Sequence, residues 1–227
     1  MFMQPDPICA AMNLEQARFN MVEQQIRTWE VLDQDVLDLM SIVKREEFVP
    51  AAWRNLAFAD AEIPLGHGAT MFAPKIEAHA LQALQLKRHE KVLEIGSGSG
   101  YMAALLAAHA DHVWSLEIVP ELAAMARDNL ARHGIGNVSV ETGDGIAGLP
   151  AHAPYDAIMV SAALPAVPQD LLAQLKVGGR LFAIVGAAPV MTAQVITRTE
   201  DGYRSVKLFE TLVDPLQNAP VAAQFTF

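Results

Sequence analysis

The chain has 227 residues, 52% of them hydrophobic, enough for one α/β domain with a small appendage. A net charge of −10 and a pI near 5.1 argue against nucleic-acid binding, which needs clustered lysine and arginine. The single cysteine, Cys9, excludes an intrachain disulfide and leaves no metal cluster, and no apolar run is long enough to span a membrane.

The first residues, Met1 to Pro7, hold two prolines and no basic group, which argues against a secretory signal and makes the cytoplasm the expected location. From Asn13 to Arg27, the spacing of Leu14, Ala17, Met21, Val22 and Ile26 predicts an amphipathic helix with Asn13 as its N-cap. Asp33 is placed to cap a second helix that carries Val36, Leu37, Met40 and Val43 on one side. Pro50 opens a short third helix through Leu56. The stretch from Phe58 to Ala73 contains Pro64, Gly66 and Gly68 and reads as a long functional loop. Pro74 suits the first position of the next helix, Lys75 to Leu86.

Regular alternation follows. Strands are predicted at 91–95, 112–116, 138–141, 155–160, 180–185, 190–197 and 203–211, and helices at 101–109, 120–133 and 168–175. The early strands are almost wholly apolar and separated by helices, as a parallel sheet covered on both faces requires. The last two are joined through Glu200-Asp201-Gly202, which predicts a hairpin and one antiparallel member near an edge. The fold class expected is α/β, a Rossmann-like, mostly parallel, doubly wound sheet with an N-terminal helical extension. The expected division is an extension with a substrate and cofactor loop at 1–73 and a nucleoside-binding domain at 74–227.

The run Lys91 to Tyr101 carries the chemistry. A buried strand ends in Glu94-Ile95, and Gly96-Ser97-Gly98-Ser99-Gly100 then leads into an alanine-rich helix. Such a turn lets a ligand lie on bare backbone. A dinucleotide fingerprint wants its third glycine one residue later, where the bulky Tyr101 stands. Three acids accompany the turn: Glu94 before it, Glu117 at the end of the second strand, and Asp144 in Gly143-Asp144-Gly145 after the third. Carboxylates repel pyrophosphate and suit the ammonium and sulfonium of S-adenosylmethionine, while Glu117 can accept both ribose hydroxyls. Each acid also has a plain alternative, in ordering a turn or sitting on the surface. Ligands of open α/β sheets lie at the carboxyl ends of the strands, which puts the glycine turn, Glu117, Asp144 and Ser161 on one rim. Met71, Phe72 and Tyr101 form either an apolar wall for the ligand or ordinary core. Trp29, Trp53 and Trp114 are read as core.

The chain resembles the protein-L-isoaspartate O-methyltransferase family from Asn13 to about Pro220. The resemblance rests on Met21-Val22-Glu23-Gln24-Gln25-Ile26, Arg45-Glu46-Glu47-Phe48-Val49-Pro50, the run Val92 to Tyr101, Gly143-Asp144-Gly145, Ala153-Pro154-Tyr155-Asp156 and Gly178-Gly179-Arg180-Leu181. It implies a seven-stranded methyltransferase fold and methyl transfer from S-adenosylmethionine, leaving S-adenosylhomocysteine, to isoaspartyl carboxylates of damaged proteins. The cofactor residues implied are Thr70, Met71, Glu94, Gly96, Ser97, Gly98, Ser99, Gly100, Glu117, Asp144 and Gly145.

One departure stands out. Where the family usually reads Thr-Ile-Ser before a small residue and proline, this chain reads Thr70-Met71-Phe72-Ala73-Pro74. Phe72 replaces the serine that would hold the acceptor carboxylate, and Lys75 and Glu77 stand where histidines often follow. Thr70 is the candidate substitute, with Lys75 or His67 as weaker candidates for holding an anion. Three functions stay open on these residues: isoaspartyl methylation, methylation of another and perhaps small acceptor, or a catalytically silent cofactor-binding module. The sequence does not specify an oligomeric state.

Overall fold

The computed structural model describes residues 7–220, so the reading of the first six residues as free of a targeting signal lies outside the described residues. Helix α1, Pro7–Asn20, runs straight into a π-helical turn, Met21–Ile26, and a 3₁₀ turn, Arg27–Trp29. Asn13 is therefore inside the helix and does not cap it. Met21, Val22 and Ile26 are buried, and Gln25 Nε2 donates to the Phe58 carbonyl at 3.0 Å.

Helix α2, Gln34–Ile42, begins as expected: the Asp33 carboxylate accepts the Asp35 amide at 3.0 Å. After Pro50 the chain forms a 3₁₀ helix, Ala51–Leu56. The expected loop then contains a two-stranded hairpin, β1 Ile63–Gly66 and β2 Ala69–Met71. Its turn, His67-Gly68, has positive φ at both residues, the geometry that matches strand twist in a tight hairpin. Only Ile63, Leu65 and Met71 face inward, too few for the strand period to show in sequence. Helix α3, Pro74–Leu84, starts on proline as read but ends two residues early, where Gln85 turns left-handed.

The main sheet comprises β3 Lys91–Ile95, β4 His112–Glu117, β5 Val138–Thr142, β6 Tyr155–Leu164, β7 Leu175–Ala187, β8 Val190–Arg198 and β9 Tyr203–Thr211, in the order β5-β4-β3-β6-β7-β8-β9. The first five in that order run parallel, and β8 is antiparallel to both neighbours. This is the expected mostly parallel seven-stranded α/β sheet. Strand β7 begins five residues earlier than the sequence suggests, through Gly178-Gly179. A Cβ on Gly179 would lie 2.8 Å from the Lys176 carbonyl and 3.1 Å from that of Tyr155, so a pair that reads as a break is instead close backbone packing.

Helices α4 Tyr101–Ala107 and α5 Pro120–Arg132 pack with α3 and the N-terminal helices in one continuous core. The short α6, Gln169–Ala173, contributes Leu171 and Leu172 to the apolar cluster on the other face, with Leu93, Tyr155 and Leu181. Trp29 and Trp53 are 46% and 40% exposed and so are not core, whereas Trp114 is partly buried against that second cluster. No helix among the described residues is long and apolar enough to cross a membrane. Parallel strands order the carboxyl ends of β3, β4, β5 and β6 along a single rim.

Candidate active site

A cleft opens on that rim, lined from β2, the turn after β3, the ends of β4 and β6, the turn after β5 and the segment after β9. Its floor is the turn after β3. Gly96, Gly98 and Gly100 all have positive φ, and the Gly96 amide donates to the Leu116 carbonyl at 2.8 Å. A Cβ on Gly100 would meet the Ala126 backbone at 3.1 Å, so α5 can approach the turn only because that position is bare.

Glu117, at the end of β4, is 5% exposed and lines the cleft. Its Oε2 accepts the Gly98 amide at 2.8 Å and its Oε1 the Val119 amide at 3.0 Å. Each oxygen keeps a lone pair for a ligand hydroxyl, so the carboxylate is a prepositioned double acceptor. Asp144 and Gly145 line the same cleft after β5, with Asp144 Oδ1 accepting the Ile146 amide at 3.0 Å. Ser161 of β6 completes the rim.

Glu94 is not on the cleft surface. It is fully buried beneath, where its carboxyl accepts the Ser115 hydroxyl at 2.5 Å and that of Ser161 at 3.4 Å. Burial without a cationic partner pushes its pKa up to about 8; the two hydroxyls oppose this, and nearby Glu117 and Glu77 add to it. Gly100 likewise supports the turn from behind.

The hairpin of β1 and β2 and the segment after β9 wall the opening. Thr70 and Phe72 line the cleft together with Asp214, Pro215, Leu216 and Gln217, and the Thr70 hydroxyl donates to Asp214 Oδ2 at 3.0 Å. The Gln217 side-chain Nε2 donates to the His67 carbonyl at 3.2 Å. Sequence reasoning missed the segment 214–217. The one local signal is an Asp-Pro pair after the last strand, and it does not say where the chain goes.

A smaller pocket adjoins the cleft and shares Thr70, Phe72, Gly96, Gly98 and Ser161 with it. Met71, Tyr101, Ser97 and Ser99 line this pocket, so the three apolar residues in question, Met71, Phe72 and Tyr101, are both buried and at the site. Glu77 also lines it. Neither weak anion candidate is there: the Lys75 ammonium binds Asp60 at 2.8 Å and lies over the Trp29 ring, and His67 forms the hairpin turn. Among the described residues the two pockets have no lysine, arginine or histidine in their walls. Such walls fit a neutral or cationic nucleoside and oppose a pyrophosphate.

The family model for protein-L-isoaspartate(D-aspartate) O-methyltransferase matches residues 16–214. The chain belongs to that family. It is an S-adenosylmethionine-dependent O-methyltransferase of the class I fold. A protein-L-isoaspartate O-methyltransferase of Methanoculleus marisnigri is 43% identical over 199 residues, covering 88% of this chain and 90% of that protein. Protein-L-isoaspartate O-methyltransferase 2 of Pelobacter propionicus is 44% identical, covering 91% and 93%. A solved Plasmodium falciparum structure in complex with S-adenosyl-L-homocysteine shares the fold, with a TM-score of 0.75 at 23% identity over 88% of this chain and 98% of that one.

Proposed function

We propose that this methyltransferase esterifies the free α-carboxylate of L-isoaspartyl residues in proteins or peptides, as the names of its relatives describe for them. The observation that carries the reading is the convergence of the glycine turn, Glu117 and Asp144 from three strand ends on one cleft without a basic wall. In this reading Glu117 holds the ribose hydroxyls, and Asp144 with Gly145 borders the base. Gly96, Ser97, Gly98 and Ser99, with Thr70 and Met71, line the path of the methionine portion. Glu94 and Gly100 support the turn from below. The first 73 residues supply the hairpin wall, and the part from Pro74 onward carries the nucleoside site.

The bound donor supplies an electrophilic methyl on sulfur. An acceptor carboxylate is ionised at neutral pH and needs no general base. The protein's contribution is orientation and exclusion of water, to which the hairpin and the 214–217 segment contribute as walls of the cleft. Tritiated S-adenosylmethionine with an isoaspartyl peptide and its normal aspartyl counterpart tests the reading. A base-labile methyl ester on the isoaspartyl peptide alone is expected; label on neither peptide contradicts it.

A second reading has its own observation. Phe72 is 6% exposed, lines both pockets and offers no hydroxyl, while the Thr70 hydroxyl is engaged by Asp214. This supports a different acceptor, one that needs an apolar contact where a carboxylate would want a donor. A hydroxyl donor to a charged group is worth about 1.5–3 kcal/mol, or on the order of 10- to 100-fold in rate. Phe72→Ser is therefore expected to raise isoaspartyl transfer by that order under the second reading, and to leave it unchanged if Phe72 already serves the isoaspartyl acceptor. S-adenosylhomocysteine binding without transfer to any peptide, in either protein, excludes the isoaspartyl acceptor and leaves a small-molecule acceptor and a silent binding module.

A further inference from the structure

The smaller pocket has a charged wall that the reading above does not use. Glu77, in the first turn of α3, is 2% exposed and lines that pocket beside Tyr101, Met71 and Ser99. Its Oε2 accepts from Arg45 Nη1. Arg45 is itself fully buried, and its other nitrogens are committed: Nε donates to the Ala57 carbonyl at 2.9 Å and Nη2 to that of Phe72 at 2.5 Å. The guanidinium thus holds Glu77 in one orientation without entering the pocket. Among the described residues no donor reaches Glu77 Oε1, and no other residue carrying a formal charge lines this pocket.

We infer that Glu77 is the anchor for a cationic group at the inner end of the site, and that this group is the α-ammonium of the methyl donor's methionine portion. The inference rests on the donor reading above and extends it to a residue that reading leaves idle. Three observations support it. The pocket shares Gly96 and Gly98 of the glycine turn with the cleft, whose own lining includes Glu117, while Glu77, Ser97 and Ser99 line only the pocket, so the turn is common to the ribose end and the tail end. Its walls are otherwise neutral, so a cation meets one counter-charge and no competitor. Burial pushes the Glu77 pKa up to about 8, with Arg45 pulling the other way, and a second cation at the pocket would favour the ionised carboxylate further. A charge-assisted hydrogen bond in such surroundings is strong.

The test compares ligands that differ only at the tail, by calorimetry on native protein and Glu77→Gln. The probes are S-adenosylhomocysteine, 5′-methylthioadenosine, which lacks the amino-acid tail, and S-adenosyl-4-thiobutyrate, which lacks only the amino group. In the native protein, loss of the amino group is expected to weaken binding on the order of 10- to 100-fold. In Glu77→Gln, S-adenosylhomocysteine is expected to weaken by a similar factor while 5′-methylthioadenosine binds as it does to native protein. Equal native affinity for S-adenosylhomocysteine and its desamino analogue overturns the inference, and that comparison does not depend on any variant folding. Unchanged S-adenosylhomocysteine affinity in Glu77→Gln, or an equal loss for 5′-methylthioadenosine, also overturns it. A native protein that binds no S-adenosylhomocysteine defeats the donor reading itself, which is a different result.

Discussion

The Thr70 hydroxyl donates to Asp214 Oδ2 at 3.0 Å, joining a hairpin residue to one 144 positions later in the chain. Asp214 is itself fixed to β6, since its carbonyl accepts the Ala163 amide at 2.9 Å and the Leu216 amide returns to the Ala163 carbonyl at 2.8 Å. The two walls of the cleft are therefore tied to each other and to the sheet. Thr70→Val or Asp214→Ala unties them. Because the pair is exposed to solvent, the melting temperature is expected to change by no more than a few degrees, as for other exposed pairs worth about 1 kcal/mol or less. S-adenosylhomocysteine affinity is expected to fall several-fold, read by titration; unchanged affinity in both variants refutes a role for the tie in closing the site.

Glu94 predicts a pH dependence. Its folded pKa of about 8 lies above the ordinary 4.5, so folding retains a proton that the unfolded chain releases as pH rises. The favourable state is fully present below about 4.5, and the associated stability is lost as pH rises from there towards 8. Glu94→Gln removes this one titration and keeps a side chain that can accept from one of Ser115 and Ser161 and donate to the hydroxyl oxygen of the other. The melting temperature of native protein is expected to fall more between pH 5 and pH 8 than that of Glu94→Gln, with Glu77 contributing equally to both. Parallel curves contradict the assignment of a buried, unpaired acid beneath the turn.

Gly100 tests the backbone argument. It has a φ of 83°, and an added Cβ would stand 3.1 Å from both Cα and O of Ala126. Gly100→Ala is expected to destabilise by about 1–3 kcal/mol, from left-handed strain together with displacement of α5. Denaturant unfolding measures this. A loss under about 0.5 kcal/mol shows that the turn tolerates a side chain and is less constrained than its geometry indicates.

Much of this architecture is legible in the sequence. Strands β3 and β4 are short apolar-rich runs with an acid at or next to the carboxyl end, and Asp33 and Pro74 mark helix starts by chemistry that acts locally. The glycine turn and the acids Glu117 and Asp144 were legible for the same reason: strand order in a parallel sheet brings successive carboxyl ends together. What stayed hidden depends on long-range contact. The hairpin at 63–71 has only three inward residues, and the early start of β7 hides behind two glycines. Glu94 reads as a ligand acid by position, yet its side chain points below the surface, where only burial reveals it. Glu77 looks like any acid in a first helical turn until Arg45, 32 residues away, is seen to hold it. The wall at 214–217 has no sequence signature that names its partner.

The central claim is that Glu117, prepositioned by the Gly98 and Val119 amides, grips the ribose of an adenosyl ligand in this cleft. Calorimetric titration of S-adenosylhomocysteine into native protein and Glu117→Ala, side by side, tests it most directly. One site per chain is expected in native protein. Affinity is expected to fall on the order of 100-fold in the variant, as the loss of charged hydrogen bonds worth about 3 kcal/mol implies. No heat with folded native protein, or equal affinity in the two proteins, contradicts the account.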